Sequence, residues 1–159
     1  MPASPKGQDE SAVEETLRRT ARRYRLTLGE GKPMGRLTIP RLGLKRIVVN
    51  GASIPDLRKG PGRDIRSFMP GEGQLVYIAG HRTTYGAPFR HIDDLRPADS
   101  IYLKVPYGRF VYRVTRHRIV KPDDLRPLRS RGREELRLQA SHPPYSAARR
   151  YVVYAKLVR

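Results

Sequence analysis

The chain has 159 residues, no cysteine and no tryptophan, and its 33 lysine and arginine residues against 15 aspartate and glutamate residues give a formal net charge of +18. The length predicts one compact domain that folds around its own core without disulfides or a structural metal. The lack of cysteine excludes disulfides, cysteine-ligated zinc and thiol catalysis in this polypeptide. No segment reaches the roughly 18 consecutive apolar residues of a membrane span, so we expect a soluble chain.

The excess of positive charge is the first feature that bears on binding partners. The basic residues are scattered, and the sequence has no helix-turn-helix pattern, no zinc-finger spacing and no Gly-aromatic RNA-binding strand. A general attraction to polyanions therefore explains the charge better than sequence-specific binding, and we expect no nucleic-acid partner. Anionic lipid headgroups or anionic cell-wall polymers would satisfy the same charge.

The first 34 residues are predicted to form a tail, a helix and a linker. Residues 1–8 have the composition of a disordered segment. Ser11 and Glu14 have capping-box spacing, and apolar residues then recur at helical intervals, which predicts a helix over residues 10–26. This helix either forms a juxtamembrane stalk or folds back over the domain, and its basic second half suits an anionic membrane surface.

Residues 35–159 are predicted to form one mainly β domain. Short β-type segments alternate with Gly and Pro, and no helices of the length of a βαβ unit separate them, which favours a sandwich or a closed barrel. Short helices are predicted at residues 54–58 and 88–95. The candidate strands are residues 36–39, 45–50, 74–79, 100–105, 109–120, 135–141 and 150–158.

His81 is the first candidate functional residue. An apolar strand pattern over residues 75–79 ends at Gly80, and His81 opens a segment that a second glycine closes. Glycines let a backbone approach a ligand closely, and a titratable group at a strand end is a common binding or catalytic position. An ordinary turn histidine explains the spacing equally well. His91 and His117 are predicted to be structural or solvated.

Ser141 is the second candidate. Two prolines follow His142 and stop an alternating strand, so Ser141 is predicted to be the last strand residue, at a rim. His142 cannot easily serve as its base, because consecutive strand side chains point to opposite faces. No acid is placed to orient a base, so these residues alone favour an ordinary strand-end hydroxyl. Arg150 is by spacing a surface ion-pair residue or an oxyanion-binding guanidinium.

Together these places resemble the sortase family, and especially its class E members. The resemblance covers about residues 36–158 and implies a closed eight-stranded β-barrel with short helices and an N-terminal helix. It also implies a cysteine transpeptidase that cleaves LPXTG-type or LAXTG-type sorting signals between Thr and Gly and transfers the acyl group to an amine of a cell-wall precursor. The blocks that carry it are Gly80-His81-Arg82-Thr83-Thr84-Tyr85-Gly86-Ala87-Pro88-Phe89, Ser141-His142-Pro143 and Arg150-Tyr151-Val152-Val153.

The resemblance assigns roles to the candidates. His81 is the general acid toward the leaving amine, Ser141 occupies the nucleophile position, and Arg150 holds the oxyanion, with Arg149 as the alternative in register. It implies no cofactor, and we expect no metal, because the acids form no ligand-rich loop. The implied location is the extracellular face of the cell membrane, with anchoring by a segment that this sequence lacks. The residues expected to contact substrate are Thr83, Thr84, Tyr85, Ala140, His142 and Tyr145.

One departure from the family pattern bears on activity. The family's Thr-Leu-X-Thr-Cys reads Arg137-Leu138-Gln139-Ala140-Ser141 here. An alcohol cannot supply the thiolate that a thiol with a pKa near 8.5 provides, so we expect an inactive or greatly weakened enzyme. Ala140 in place of threonine predicts an altered specificity.

Two explanations of the serine stay open. A cysteine replaced deliberately, to capture substrate or prevent oxidation, is favoured by the otherwise intact site. A natural relative that binds peptides without cleaving them is the alternative, and a basic barrel that binds polyanions is a third account of the chain.

Overall fold

The computed structural model describes residues 5–144 and 146–158, and within them the strands close into one barrel. The prediction of a mainly β, eight-stranded barrel with short helices and an N-terminal helix is confirmed. The helices are α1 (Pro5–Thr27) and α2 (Ile54–Lys59), and 3₁₀ turns lie at Pro40–Leu42, Ile92–Asp94 and Arg126–Leu128. The strands are β1 (Pro33–Ile39), β2 (Leu44–Asn50), β3 (Gly62–Arg63), β4 (Leu75–Ala79), β5 (Ser100–Val105), β6 (Gly108–Val120), β7 (Glu135–His142) and β8 (Arg149–Leu157).

Three local predictions were wrong. Strand β3 was missed because it is a two-residue bridge between β2 and β4 with no alternating pattern of its own. The helix predicted over residues 88–95 is only a 3₁₀ turn at Ile92–Asp94. Helix α1 begins at Pro5, so residues 5–8 are helical and Ser11 lies inside the helix instead of capping it.

The strand order around the barrel is β1-β2-β3-β4-β7-β8-β6-β5. Strands β4 and β7 pair in parallel, from Leu75 opposite Glu135 to Ala79 opposite Gln139. Strand β8 runs antiparallel to β7, with Ser141 directly opposite Arg150. The carboxyl ends of β4 and β7 and the start of β8 therefore meet at one edge of the barrel.

The barrel interior is filled by one face of each strand, and β4 is buried on both faces. Val76 and Ile78 face the interior cluster, whereas Leu75 and Tyr77 join a second cluster with Val152 and Tyr154. This second cluster lies on the outer face of β4 and β8, where the segment between β6 and β7 covers it through Leu128. The outer face is therefore closed at one end and accessible toward the edge that carries Ser141.

Helix α1 folds back over the barrel and does not project as a stalk. Ala21 is completely buried against the core, and the hydroxyl of Tyr24 donates a 2.6 Å hydrogen bond to the carbonyl of Met34. Arg25 reaches the carboxylate of Glu72 at 2.9 Å. In the part of the chain that the structure describes, no helix combines the length and the apolar character needed to cross a membrane.

We predict that Gly71→Ala disturbs the packing of α1 against the barrel and so destabilises the fold. Gly71 has φ +100°, and an added Cβ would lie 3.1 Å from Leu17 of α1, 3.2 Å from Phe110 of β6 and 3.3 Å from Ala21 of α1. Backbone strain and the collision together should lower the free energy of unfolding by about 3 kcal/mol. Gly43→Ala is the matched control, because Gly43 has φ +60° with open space around it and should lose only about 1 kcal/mol. Urea denaturation of both variants tests this, and equal losses would refute the packing argument.

Candidate active site

His81 lies immediately beyond β4, where the chain leaves the sheet. The amide of Gly80 donates to the carbonyl of Gln139 at 3.0 Å, so the β4–β7 pairing continues to the last residue before His81. Gly80 has to be glycine, because a Cβ there would lie 2.6 Å from the ring of Phe89. Ala79 is opposite Gln139, so His81 and Ser141 both lie two residues beyond this last pair, at the same edge of the sheet.

Ser141 and Arg150 are cross-strand partners at this edge, and both are half-buried. Directly opposite residues in an antiparallel pair have Cβ atoms about 5 Å apart and point to the same face. Arg149 instead pairs with His142 and is exposed. Strand alternation therefore puts Arg150, and not Arg149, on the face of Ser141.

The ring of His81 has a polar and an aromatic neighbour. Its Nδ1 is 3.2 Å from the hydroxyl of Thr84, and the ring of Tyr85 lies 5.1 Å away, centroid to centroid. Burial lowers the pKa of His81 below its ordinary value of 6.5, so the imidazole is mainly neutral at neutral pH. Within residues 5–144 and 146–158, no carboxylate hydrogen-bonds to His81, and Thr84 is the group that orients the ring.

The loop after His81 has an unusual backbone. Tyr85, Gly86 and Ala87 have consecutive positive φ angles of 50°, 79° and 41°. For the two residues with a Cβ this conformation costs about 1–2 kcal/mol each. The turn is closed by the amide of Ala87, which donates to the carbonyl of Thr84 at 2.8 Å. The result is that Tyr85 stands 51% exposed beside His81.

Arg82 was expected only as part of the loop of residues 82–89 that flanks the site, and its buried role was not predicted. Its side chain is only 2% exposed, although it directly follows His81. Its Nη1 donates to the carbonyl of Ser141 at 3.0 Å and lies 3.1 Å from Nδ1 of His142. Its Nη2 pairs with a carboxylate oxygen of Asp93 at 3.1 Å. One buried guanidinium therefore joins the histidine loop, the end of β7 and the 3₁₀ turn at Ile92–Asp94.

The sequence contains one signal for the role of Arg82, but that signal is too weak to predict its burial. Arginine is usually a surface residue, and in a chain with 33 basic residues a further one attracts no attention. Asp93 is far along the chain, and a carbonyl oxygen leaves no sequence signature. The position of Arg82 inside the histidine block was the only available signal.

The remaining predicted substrate contacts fall in different places. Thr83 is half-buried and Thr84 is exposed, both in the loop after His81. Ala140 is 1% exposed within the barrel core, so its side chain points away from the face of Ser141. His142 is held by Arg82 and tilts against Tyr151, also away from that face. Tyr145 lies outside the described residues. Strand β7 extends to His142, one residue beyond the predicted end at Ser141.

The outer face below Ser141 is polar at its centre. The hydroxyl of Tyr77 donates to Oε1 of Gln139 at 2.5 Å, and burial raises the pKa of Tyr77. Further along β7, Arg137 donates to the carbonyl of Pro127 at 2.6 Å and so fastens the covering segment. The accessible part of this face is thus limited to the edge near Ser141. No three potential metal-ligating side chains converge anywhere in the described parts of the chain.

The family of this chain follows from its similarity to known proteins. A family model described as a sortase domain matches residues 37–158. The chain belongs to the sortase family. Sortase D of Bacillus subtilis (strain 168) is 28% identical over 160 residues, which cover 98% of this chain and 79% of that protein. Sortases are transpeptidases, and the sequence-based prediction of this family is confirmed.

Solved sortase structures agree with the barrel. Sortase E from Streptomyces avermitilis is 28% identical, with a TM-score of 0.73 over 83% of this chain and 91% of that chain. Clostridium perfringens sortase C, solved with the C-terminal cell wall sorting motif, is 22% identical, with a TM-score of 0.82 over 93% and 90% of the two chains. The second likeness supports the fold alone.

We predict that Arg82 stabilises the site through its buried hydrogen bonds. Arg82→Ala should lower the free energy of unfolding by about 2–3 kcal/mol, because it leaves the Ser141 carbonyl without this donor. Arg90→Ala is the matched control in the same loop, since Arg90 is exposed and should change stability by less than about 0.5 kcal/mol. Urea denaturation provides the measurement, and similar values for the two variants would contradict the assigned contacts.

We also predict a pH dependence from His81. As the pH falls below 6.5, the unfolded imidazole takes up a proton, whereas the folded one, with its lowered pKa, resists protonation. The unfolded state then binds more protons, so stability decreases until the pH passes the folded pKa. His81→Gln should lose this part of the decrease between pH 7.5 and 5. Denaturation at several pH values, with an NMR titration of the ring, tests this, and a midpoint above 6.5 would refute it.

Proposed function

We propose that this site is that of a class E-like sortase, which cleaves an LPXTG-type or LAXTG-type sorting signal between Thr and Gly and transfers the acyl group to an amine. The observation that carries the proposal is the register of β4, β7 and β8, with Ser141 opposite Arg150 and His81 two residues beyond the Ala79–Gln139 pair. The class E assignment rests on the residue block from Gly80 to Phe89. The likeness to sortase E of Streptomyces avermitilis supports it.

The proposed chemistry needs a thiolate at position 141, which forms when the neutral imidazole of His81 takes up the thiol proton. The thiolate attacks the threonine carbonyl, and the guanidinium of Arg150 donates hydrogen bonds to the developing oxyanion. His81 protonates the glycine amine as the peptide bond breaks, which leaves a thioester on the enzyme. The amine of the acceptor then attacks the thioester, and an amide bond forms as the carbon–sulfur bond breaks. His81 takes up the proton that the amine loses, so the thiolate and the imidazolium are both regenerated.

Serine at position 141 is a much weaker nucleophile than the thiolate. A hydroxyl is ionised far less readily than a thiol, and no carboxylate orients His81 to act as a strong base within the described residues. We therefore propose that the chain as given binds the sorting signal but cleaves it very slowly. A relative that binds peptides without chemistry is the second candidate function, and Ser141 itself favours it.

We also propose where the peptide binds and where in the cell the protein acts. The signal would lie along the edge near Ser141, with the loop of Thr83, Thr84 and Tyr85 on one side and the β7–β8 connection on the other. The exposed ring of Tyr85 offers an apolar contact beside His81. Sorting signals belong to secreted proteins, so we propose that the reaction takes place at the extracellular face of the cell membrane.

We predict that Ser141→Cys restores cleavage. The variant and the parent chain are mixed with fluorogenic LAXTG and LPXTG peptides and a glycine-based amine, and mass spectrometry follows cleavage and ligation. His81→Ala in the cysteine background should reduce the rate by about 100-fold or more, since a general acid contributes about that factor. Arg150→Ala should cost about 100-fold or more through loss of the oxyanion donor.

Arg149→Ala is the matched control in the cysteine background. It removes a neighbouring arginine on the opposite face and should keep most of the activity. If the folded cysteine variant leaves both peptides intact, the catalytic proposal fails for these signals. Binding of the peptides to the parent chain, measured by fluorescence anisotropy, would then support the non-catalytic candidate.

A further inference from the structure

A cationic groove crosses the outer face of β1, β2, β5 and β6. A cavity of about 420 Å³ there is lined entirely by polar and basic side chains. Thr38 and Tyr102, which both line it, are cross-strand partners. We call these residues together the cationic groove: Arg36, Thr38, Lys45, Tyr102, Lys104 and Arg109.

The cations of this groove repel one another. Arg36 is the direct cross-strand partner of Lys104, and Lys104 is the direct partner of Arg109, so three adjacent strands carry three positive charges in one row. All three are exposed. Like charges directly opposite in a sheet are destabilising. No carboxylate lines this cavity, and within the described residues these three cations and Lys45 form no salt bridge. The row therefore favours an external anion.

A second cavity continues the groove along the strands and is mainly apolar. It has a volume of about 350 Å³ and shares Arg36 and Lys104 with the cationic groove. Ile47, the cross-strand partner of Arg36, lies in it and is 46% exposed. Val105 and Pro106 line it from the end of β5. The Arg36–Lys104 pair thus separates a basic region from an apolar one.

The cationic groove and the apolar cavity together indicate which class of ligand binds there. The guanidinium of Arg109 lies over the ring of Tyr102, 4.5 Å from its centroid. That ring face is occupied, so the aromatic stacking platform typical of single-stranded nucleic-acid sites is missing from this groove. An exposed isoleucine and an apolar cavity beside a row of cations instead match an anionic amphiphile, with charge attraction and apolar burial acting together.

We propose that the cationic groove and the adjoining apolar cavity bind the surface of a bilayer that contains anionic phospholipid. The lipid phosphate lies against Arg36, Lys104 and Arg109, and the upper acyl region contacts Ile47. In the order of strands around the barrel, β1 is opposite β7 and β5 is opposite β4. A barrel docked in this way holds Ser141 on the side away from the lipid.

The test measures partitioning of the full chain onto unilamellar vesicles. Vesicles of phosphatidylcholine with 30% phosphatidylglycerol are compared with pure phosphatidylcholine at about 150 mM NaCl by co-sedimentation. Each basic residue near an anionic surface contributes a factor of about five, so Arg36→Gln/Lys104→Gln should weaken binding about 30-fold. Ile47→Gln should weaken it about fivefold through lost apolar burial.

Two control variants match these substitutions in type and exposure. Arg113→Gln/Lys156→Gln removes another exposed, like-charged cross-strand pair outside both cavities and should change binding less than threefold. Ile119→Gln removes an isoleucine that is 48% exposed at a different place and should leave binding unchanged. Because Arg36 and Lys104 repel each other, Arg36→Gln/Lys104→Gln should not lower the Tm, so its loss of binding will not reflect unfolding.

Three results would overturn the proposal. Equal losses of vesicle binding in Arg36→Gln/Lys104→Gln and Arg113→Gln/Lys156→Gln would show a general attraction of a basic protein to an anionic surface. Equal losses for Ile47→Gln and Ile119→Gln would remove the apolar contact. Tighter binding to inorganic polyphosphate or single-stranded DNA than to the anionic vesicles, abolished by Arg36→Gln/Lys104→Gln, would assign the groove to a soluble polyanion.

Discussion

The parallel pairing of β4 and β7 is the constraint on which the rest of the site depends. Parallel neighbours end at the same edge of a sheet, so backbone pairing puts His81 beyond β4 and Ser141 in β7 at one edge of the barrel. The antiparallel β7–β8 pair then adds Arg150 through its register. Three residues far apart in the sequence are placed by two strand pairings, and their side chains need no direct contact for this.

The buried guanidinium of Arg82 adds rigidity where the ladder ends. Beyond Gly80 the chain leaves the sheet, and the carbonyl of Ser141 receives a side-chain donor, Nη1 of Arg82. Because the same guanidinium pairs with Asp93, a displacement of the histidine loop would disturb the end of β7. The sequence could predict the loop, since glycines, a histidine and a strand end are local signals. It could not predict Arg82, whose role depends on burial and on a carbonyl oxygen.

The distinction between local sequence signals and contacts made only in the fold also explains which other predictions were confirmed and which were wrong. Long alternating strands such as β7 and β8 were predictable from their period, and the barrel followed from the resemblance. Strand β3 was not, because its two residues are paired only through neighbours distant in sequence. Ala140 was assigned to substrate binding by its place in a motif, whereas alternation turns its side chain into the core. Helix α1 was predicted, but the sequence left its docking open, which depends on contacts such as that of Ala21 with the barrel.

The left-handed backbone at Tyr85 holds an aromatic ring where glycine would be the less strained residue. Glycine would adopt φ 50° without the penalty that a Cβ brings, so the fold alone would favour glycine at this position. Tyr85 therefore stands in a conformation that costs a residue with a Cβ about 1–2 kcal/mol. Within the described residues, the ring that this strained backbone holds out lies against the imidazole of His81 and the guanidinium of Arg58.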